Sequence, residues 1–574
     1  MTTIAPDIQA RSLDFRIDYG SAIEGEITSL ENQLEELVGS HLPYPTRTIA
    51  IKLLEGDEAT HALVAALPQG DQILSHTERS INSIGQDIDI FIADKRYAWI
   101  NQLVKESVHN PRNGAMAVSD RIDQILTHPI AGVPIFLALM WFIFNLTVNA
   151  SAPFLDWTDA VISGPITRWA TSLIAFMGLG STWVESLVAD GILAGVGGVL
   201  VFVPVLVFLF LALALLEESG YMARMAFVMD RFMQPLGLQG KSFLPLLVGF
   251  GCSVPAIYAT RTLENREDRI LTGLLVPFMS CGARLPVYIL LAAIFFPGNS
   301  GLIIFGLYLL GIATAIFLGL VLRRTQFKEK ENTVMVIELP PYQLPGLKTL
   351  WNYISQRVGD FVKNAATIIL VTSMVIWLLT AIPVTSSASF ADVELQDSAF
   401  GRLSTSLSTV FKPLGFGNWQ TTGALISGFV AKEVVVSTLA QTYALETDKP
   451  TTEGSLAEDF DIIVMDFANA SIDTLATIPQ MLGLGADATE DETPSDLMTA
   501  MRNNFETVSG GHGALAALSL MVFVLIYTPC MAAVAAEKHE FGWRITAASV
   551  VGQTLLAWLM AFAVYQGGLL LGLG

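Results

Sequence analysis

The sequence predicts an all-α polytopic membrane protein built from two inverted repeats with broken or re-entrant helices, preceded by a small helical domain. Of its 574 residues, 52% are hydrophobic and only 15% are charged. Charge-free runs cover 192–216, 301–322 and 545–574, and each is long enough for a helix to cross a bilayer. Two further apolar segments are interrupted in their middle, which is typical of transporters.

Charge and cysteine content exclude other classes. The sequence contains 32 Lys and Arg and 53 Asp and Glu, which gives a formal charge of −21. This charge has the wrong sign for a protein that neutralises phosphates, so we expect no nucleic-acid partner. Cys252, Cys281 and Cys530 are too few for a disulfide framework and should be free thiols. The N-terminus has no secretory signal, which predicts that it lies in the cytoplasm.

The elements follow in order along the chain. Residues 1–125 are predicted to form a cytoplasmic helical domain, because Ile27, Leu30, Leu34 and Leu37 recur at helical spacing. The first repeat should occupy 126–323, with spans at 131–150, 192–216, 271–296 and 301–322, and an interfacial helix at 166–178. A basic linker, 324–360, is predicted to be cytoplasmic by the positive-inside rule. The second repeat should occupy 361–574, with spans at 364–382, 514–536 and 545–571 and an acidic extracytoplasmic loop at 444–511.

The two interrupted segments are predicted to be equivalent. Residues 243–259 contain Gly249, Gly251 and Pro255, while 421–439 contain glycines and two charges. The sequences leading into them, 235–250 and 413–429, align loosely. When the spans are counted from a cytoplasmic N-terminus, the first segment enters the membrane from the cytoplasm and the second enters from outside. A binding site is therefore expected where the two breaks meet.

Each cysteine lies beside a predicted helix break, in the motifs GFGCSVP, SCGAR and TPCM. Unwound carbonyls and thiolates can coordinate a cation, and thiolates select soft or borderline transition metals. We therefore predict Cys252, Cys281 and Cys530 as metal ligands; the alternative is a kinked helix with a small buried cysteine. No histidine lies deep in a span, which argues against a His-rich zinc site. Arg284 is expected toward the membrane boundary.

Two groups of ionisable residues are further candidates. Lys432 and Glu433 lie within an apolar helix, where each costs about 2.5–3.5 kcal/mol on insertion scales, so Glu433 is predicted as a fourth metal ligand. A structural Lys432–Glu433 contact is the alternative. Glu217 and Glu218 end a span in LEESGYMARMAFVMDR and are a candidate ion vestibule, although a solvated boundary helix explains that stretch as well.

A phosphate-binding loop is rejected. Gly240-Lys241-Ser242 lacks the glycine required five residues earlier, where Pro235 stands, and it leads into a membrane segment. We therefore expect no nucleotide hydrolysis by this polypeptide and no permanently bound cofactor.

Four long motifs resemble the ferrous iron transport protein B family of the Feo system. They are LVGFGCSVPAIYATRTLENREDRILTGLLVPFMSCGARLPVY (247–288), EESGYMARMAFVMDR (217–231), GFVAKEVVVSTL (428–439) and YTPCMAAVAA (527–536). The resemblance implies a multi-pass transporter that takes Fe²⁺ as its substrate through the prokaryotic cytoplasmic membrane, with two gate repeats like those of nucleoside transporters. It also implies that Cys252, Cys281 and Cys530 are candidate ion ligands.

The resemblance also implies partners. The family normally begins with a GTPase domain, joined to the membrane part by a helical domain like a guanine-nucleotide-dissociation inhibitor. That helical domain is expected here, but this sequence lacks the GTPase. We predict a separate G-domain protein, through which GTP would act, with truncation as the other explanation. The small A-type protein of the Feo system and membrane lipid are the other expected partners, and a homo-oligomer is left open.

Two alternatives to iron transport remain at the level of sequence. A gate-fold transporter of nucleosides or another small solute would need hydrogen-bonding and aromatic groups rather than three thiols. A membrane scaffold that recruits a GTPase without transporting anything would show no ion flux. Within the transporter hypothesis, a channel and an alternating-access pump fit equally well.

Overall fold

The computed structural model describes most of the chain as helix, in two compact units. The described residues are 17–38, 44–84, 88–107, 113–128, 130–180, 182–327, 339–384, 390–391, 393–443, 456–481 and 496–572. The units are Met1–Ala115 and Met116–Gly574, so the division falls slightly before the predicted limit at residue 125. Helix α6 (Asn113–Leu126) begins at this division.

The N-terminal unit is helical, as its apolar spacing predicts. Its helices are α1 (Ser21–Val38), α2 (Thr46–Leu54), α3 (Glu58–Ala65), α4 (Gly70–Ile84) and α5 (Ile88–Ser107). Ile27, Leu30 and Leu34 on α1 are completely buried in one core; the side chain of Leu37 lies outside the described residues. Asp57 caps α3 by accepting from the backbone N–H of Thr60, which satisfies one of the free donors of that helix.

The larger unit holds the apolar helices. Its first half contains α7 (Gly132–Val161), α8 (Thr167–Phe176), α9 (Trp183–Ser186), α10 (Ala194–Val201), α11 (Val203–Glu218), α12 (Tyr221–Met233), α13 (Phe243–Gly251), α14 (Ser253–Ala259), α15 (Arg266–Leu275), α16 (Leu285–Phe295) and α17 (Ser300–Thr325). Its second half contains α18 (Leu347–Ala381), α19 (Ala399–Phe411), α20 (Trp419–Val430), α21 (Val434–Tyr443), α22 (Leu456–Met481), α23 (Asp496–Ser509), α24 (Gly513–Ile526), α25 (Met531–Phe541) and α26 (Trp543–Leu570).

Seven helical stretches in the described part of the chain are long and apolar enough to cross a membrane. They are Gly132–Phe176, Trp183–Glu218, Arg266–Phe295, Ser300–Thr325, Leu347–Ala381, Gly513–Phe541 and Trp543–Leu570. These stretches contain all seven predicted spans almost completely. The all-α polytopic membrane fold is therefore confirmed.

The first membrane helix is longer than its sequence predicts. A π-helical turn, Ile162–Ile166, joins α7 directly to α8, so the expected interfacial helix at 166–178 continues the first span. Trp169 Nε1 donates a hydrogen bond to Asp459 Oδ2 at 2.8 Å instead of marking a separate membrane-surface helix. The continuation is stabilised by contacts with helix α22 of the same chain, which local sequence cannot reveal.

The acidic segment 444–511 contains two helices, α22 and α23. Helix α22 runs antiparallel to the first membrane helix: Thr474 Oγ1 donates to Ala150 O at 3.1 Å, and Trp157 Nε1 donates to Ile463 O at 3.1 Å. Arg168 pairs with the buried Asp459. These contacts place acidic residues of the segment in a packed interface, where one of them neutralises an arginine.

Arg224 on α12 joins three distant parts of the larger unit. The guanidinium is only 1% exposed and donates to both carboxylate oxygens of Asp123, at 2.9 and 3.0 Å. It also lies 4.1 Å from the centroid of the Tyr342 ring, and Tyr342 Oη donates to Asp123 Oδ1 at 2.8 Å. Helix α12, which could be read as a solvated boundary helix, therefore buries its arginine against α6 and the linker between the repeats.

Replacing Asp123 by Asn should destabilise this junction. The buried guanidinium would lose its charged partner, at a cost of about 1–3 kcal/mol, so the detergent-solubilised variant should melt at a lower temperature. Asp120→Asn is the matched control, because Asp120 lies one turn earlier on the same helix and is exposed. Equal melting of the Asp123 variant and wild type would mean that the junction contributes nothing to stability.

The pH dependence of this difference has a defined sign. Hydrogen bonding to Arg224 lowers the pKa of Asp123 below its usual value. A carboxyl with a lowered pKa stabilises the folded state above its unfolded pKa of about 3.9, and this stabilisation is lost as the pH falls through the folded value. The difference between wild type and Asp123→Asn should therefore be constant near neutrality and shrink only below about pH 4.

Candidate functional site

The first interrupted helix of each repeat breaks in the same way. Helix α13 ends and α14 begins at Cys252, whose backbone is extended at φ −153° and ψ 131°. In the second repeat, α20 ends at Ala431, which is extended at φ −146° and ψ 124°. The predicted correspondence of 243–259 with 421–439 therefore appears in the backbone itself. Cys252 corresponds to Ala431, which is followed in the chain by Lys432 and Glu433.

A second pair of breaks carries the other two cysteines. Cys281 (φ −74°, ψ 159°) precedes the short helical turn Gly282–Arg284, which leads into α16. Cys530 (φ −60°, ψ 159°) directly precedes α25. Both thiols are thus borne by the last extended residue before a helix resumes. The backbone explains why each cysteine of the sequence lies beside a glycine or a proline.

The breaks meet in one region of the fold. A Cβ placed on Gly282 would lie 3.8 Å from Gly251 O, which puts the first two breaks side by side. Cys252 interacts electrostatically with Cys281, Cys530 and Glu433. All three cysteines are partly buried free thiols. The structure therefore gathers the four predicted ligands into one neighbourhood, although they are up to 278 residues apart in the chain.

Proximity does not yet amount to a coordination shell. Within the described residues, no group of three or more His, Cys, Asp or Glu side chains is placed to hold one metal ion. For Cys252, Cys281, Cys530 and Glu433 to bind the same ion, their side chains must be arranged differently from this conformation. The ligand set stays a prediction.

Lys432 does not make the local contact with Glu433 that would explain it as a structural pair. Its ammonium is 2% exposed and donates to Thr528 O at 2.9 Å. The same nitrogen lies 2.9 Å from the centroid of the Tyr527 ring. An uncompensated buried charge is costly, and here a carbonyl and an aromatic face of the opposite break compensate it. Glu433 is left available for another role.

Arg284 is buried between the breaks, so its expected position toward the membrane boundary is wrong. Its guanidinium is 1% exposed and donates to Leu525 O at 2.6 Å and Pro277 O at 3.0 Å, with Tyr527 O at 3.5 Å. The last carbonyls of α24 have no partner within their helix, and a cation is favourable at that end. These carbonyls explain how an arginine is tolerated there.

Three polar atoms at the α24–α25 break have no hydrogen-bond partner within the described part of the chain. The hydroxyls of Tyr527 and Thr528 and the Nε of Arg284 are buried and make no hydrogen bond. Sequence reasoning missed Tyr527 and Thr528. The signal was present, because both precede Pro529, which cannot continue a hydrogen-bonded helix.

The predicted vestibule lies elsewhere. Glu217 and Glu218 are exposed at the end of α11, and Glu217 interacts with Tyr353 on α18. Neither residue belongs to a break. Their role as an ion vestibule stays a prediction.

Replacing Arg284 by Met should destabilise the protein more than any exposed arginine substitution. Three carbonyls would lose their donor, with an expected cost of about 3 kcal/mol or more. The melting temperature of the purified protein measures this, with Arg324→Met as control, because Arg324 is exposed at the end of a membrane helix. If the two variants melted alike, the carbonyl contacts of Arg284 would not stabilise the break.

Family comparisons agree with this architecture. Residues 199–295 and 362–544 match the Gate family, described as "Nucleoside recognition". Residues 19–109 match the "FeoB cytosolic helical domain", and residues 304–357 match the "Ferrous iron transport protein B C terminus". The two Gate matches cover the four helix breaks. No solved structure matches the chain.

Curated relatives extend over nearly the whole sequence. A fusion of Fe(2+) transport protein A with the Fe(2+) transporter FeoB from Porphyromonas gingivalis is 35% identical over 97% of this chain, which spans 65% of that protein. The Fe(2+) transporter FeoB of Staphylococcus aureus is 35% identical over 96% of the chain and 74% of its own length. That of Methanocaldococcus jannaschii is 32% identical, with 95% and 73% covered. The chain belongs to the ferrous iron transport protein B family.

Proposed function

We propose that this protein transports Fe²⁺ across the prokaryotic cytoplasmic membrane, into the cell, through a site formed where the four helix breaks meet. The observation that carries the proposal is the placement of three thiols at three of these breaks. Thiolate ligands favour borderline ions such as Fe²⁺ over Mg²⁺ or Ca²⁺, which prefer oxygen. The N-terminal unit is proposed to lie in the cytoplasm, which its match to the FeoB cytosolic helical domain supports.

The groups at the breaks also bear on how a divalent ion would be held. Arg284 and Lys432 both donate to carbonyls at the α24–α25 break, which carries Cys530. A metal ion binds the deprotonated forms of cysteine and glutamate, so its binding would release protons from these ligands. The positive charge of Arg284 beside them would weaken the binding of a cation and so favour its release.

Replacing the cysteines by serine should reduce Fe²⁺ uptake. We expect each of Cys252→Ser, Cys281→Ser and Cys530→Ser to lose about tenfold or more in initial rate, because each removes one soft ligand. The measurement is anaerobic Fe²⁺ flux into proteoliposomes under reducing conditions, with equilibrium metal binding to the same preparations. Ser437→Ala is the control, since Ser437 is exposed on α21.

Two results would count against the proposed site. Normal Fe²⁺ uptake by the triple serine variant would remove the thiols from the ligand set. Competition of uptake by nucleosides would favour a nucleoside transporter, the second candidate, which the description of the Gate match supports.

We further propose that a G domain outside this sequence acts on the transporter. The match of residues 19–109 to the cytosolic helical domain of the family supports a docking role for the N-terminal unit. An A-type partner is also proposed, because the Porphyromonas relative is named as a fusion with transport protein A.

Adding the G domain should change Fe²⁺ flux in a guanine-nucleotide-dependent manner. The test compares proteoliposomes with and without that protein, each with GTP and with GDP. A variant lacking residues 1–107 serves as control, since it should lose the response if docking uses the N-terminal unit. Flux that is indifferent to the G domain under every condition would contradict this proposal.

A further inference from the structure

A buried carboxyl outside the thiol region has no counter-charge among the residues that the structure describes. Glu537 on α25 is 0% exposed, and neither of its carboxylate oxygens has a hydrogen-bond partner. Ser549 on α26 interacts with the carboxyl, but not in hydrogen-bonding geometry. An isolated buried carboxylate costs several kcal/mol. A group so placed must carry a proton or face a cation.

The face of α26 that carries Ser549, the neighbour of Glu537, is polar. Thr546, Ser549 and Gln553 follow each other at helical spacing on a buried face of α26. Gln553 Nε2 donates to Ser549 Oγ at 2.7 Å, which leaves Gln553 Oε1 buried and unpartnered. The carboxylate and this amide oxygen are therefore all acceptors. One proton on Glu537 would supply a donor and remove the charge at the same time.

Among the described residues, no cation is paired with the Glu537 carboxyl, and neither of its oxygens has a hydrogen-bond partner. Helix α20, which packs against α25, has no ionisable side chain. Glu540, one turn further along α25, is itself neutralised by Arg261 and Arg269. The other ionisable residues on α25 and on the helices packed against it are Cys530, Lys538, His539, Tyr258, Lys348, Tyr353, Arg357, Asp360, Lys363, Arg544 and Tyr565.

Glu537 is connected to the proposed ion site through helix α25. Cys530 is the residue that precedes α25, and Glu537 follows it by seven residues, about two helical turns or 10 Å along the axis. A displacement of Cys530 toward the other thiols would bring them nearer to a shared ion. A movement of α25 that achieves this also moves Glu537 relative to Ser549 and Gln553.

We propose that Glu537 is a proton-binding site of the transport cycle, protonated in the conformation described and deprotonated when α25 rearranges. The proton then leaves the carboxyl for a water molecule that the rearrangement of α25 admits. The inference rests on the proposed transport function, because it assigns a coupling proton to that cycle. It names a second site, with a ligand chemistry different from that of the thiols.

The direct test of protonation does not need transport. The infrared absorption spectrum of the purified protein at neutral pH should contain the carbonyl band of a protonated carboxylic acid that is missing in Glu537→Gln. Glu267→Gln, an exposed position on α15, should keep the band. If the spectra of Glu537→Gln and wild type were identical, Glu537 would not hold the proton and the proposal would fall.

The transport test uses proteoliposomes containing a pH-sensitive dye. Wild type should couple Fe²⁺ uptake to proton movement, with a rate that changes by up to about tenfold per pH unit on the limiting side of the titration. Glu537→Gln should lose the proton signal and the pH dependence while its equilibrium metal binding stays within about twofold of wild type. Glu537→Asp should keep a proton signal, since it retains a carboxyl.

The outcomes separate the two proposals. Absence of Fe²⁺ flux in wild type would defeat the transport function, whereas the infrared band would still report on Glu537. Fe²⁺ flux in Glu537→Gln with the pH dependence and proton signal of wild type would overturn the proton site alone. Uptake that depends on Na⁺ through Glu537, without proton movement, would also overturn it.

Discussion

The centre of the membrane unit depends on two buried cations that bind the carbonyls of one helix break. Arg284 donates to Leu525 O, and Lys432 donates to Thr528 O. Breaking a helix in an apolar medium frees carbonyls that water cannot reach, and each unsatisfied group costs several kcal/mol. The two cations satisfy these groups, one from each repeat. Both side chains therefore stabilise the break between α24 and α25.

This arrangement explains why two equivalent repeats are chemically unequal. Cys281 and Cys530 occupy matching positions, whereas Cys252 matches Ala431, which is followed by a lysine and a glutamate. The first repeat supplies a thiol at its first break, and the second supplies a cation for the neighbouring break together with a carboxylate. In the proposed site, the basic side chains would weaken the binding of a cation by the thiols and so favour its release.

Sequence reasoning was most accurate where local chemistry decides. Gly249, Gly251 and Pro255 predicted a broken helix, and α13 ends within that segment. It failed for Arg284, whose place between the breaks depends on carbonyls 241 residues away. It also treated 444–511 as a loop, because the acidic residues of α22 concealed a helix that packs on α7.

The sequence by itself determined that this is a helical membrane protein. It also determined where the apolar segments must break and what ionisable residues lie inside those segments. Hydrophobic length, glycine, proline and the cost of charge in lipid act within a few residues of chain, so they can be read from sequence. The tertiary structure decided that the three thiols share one region, that Lys432 binds the opposite break, and that Glu537 is isolated. Each of these depends on contacts between segments far apart in sequence, whose geometry no local pattern encodes.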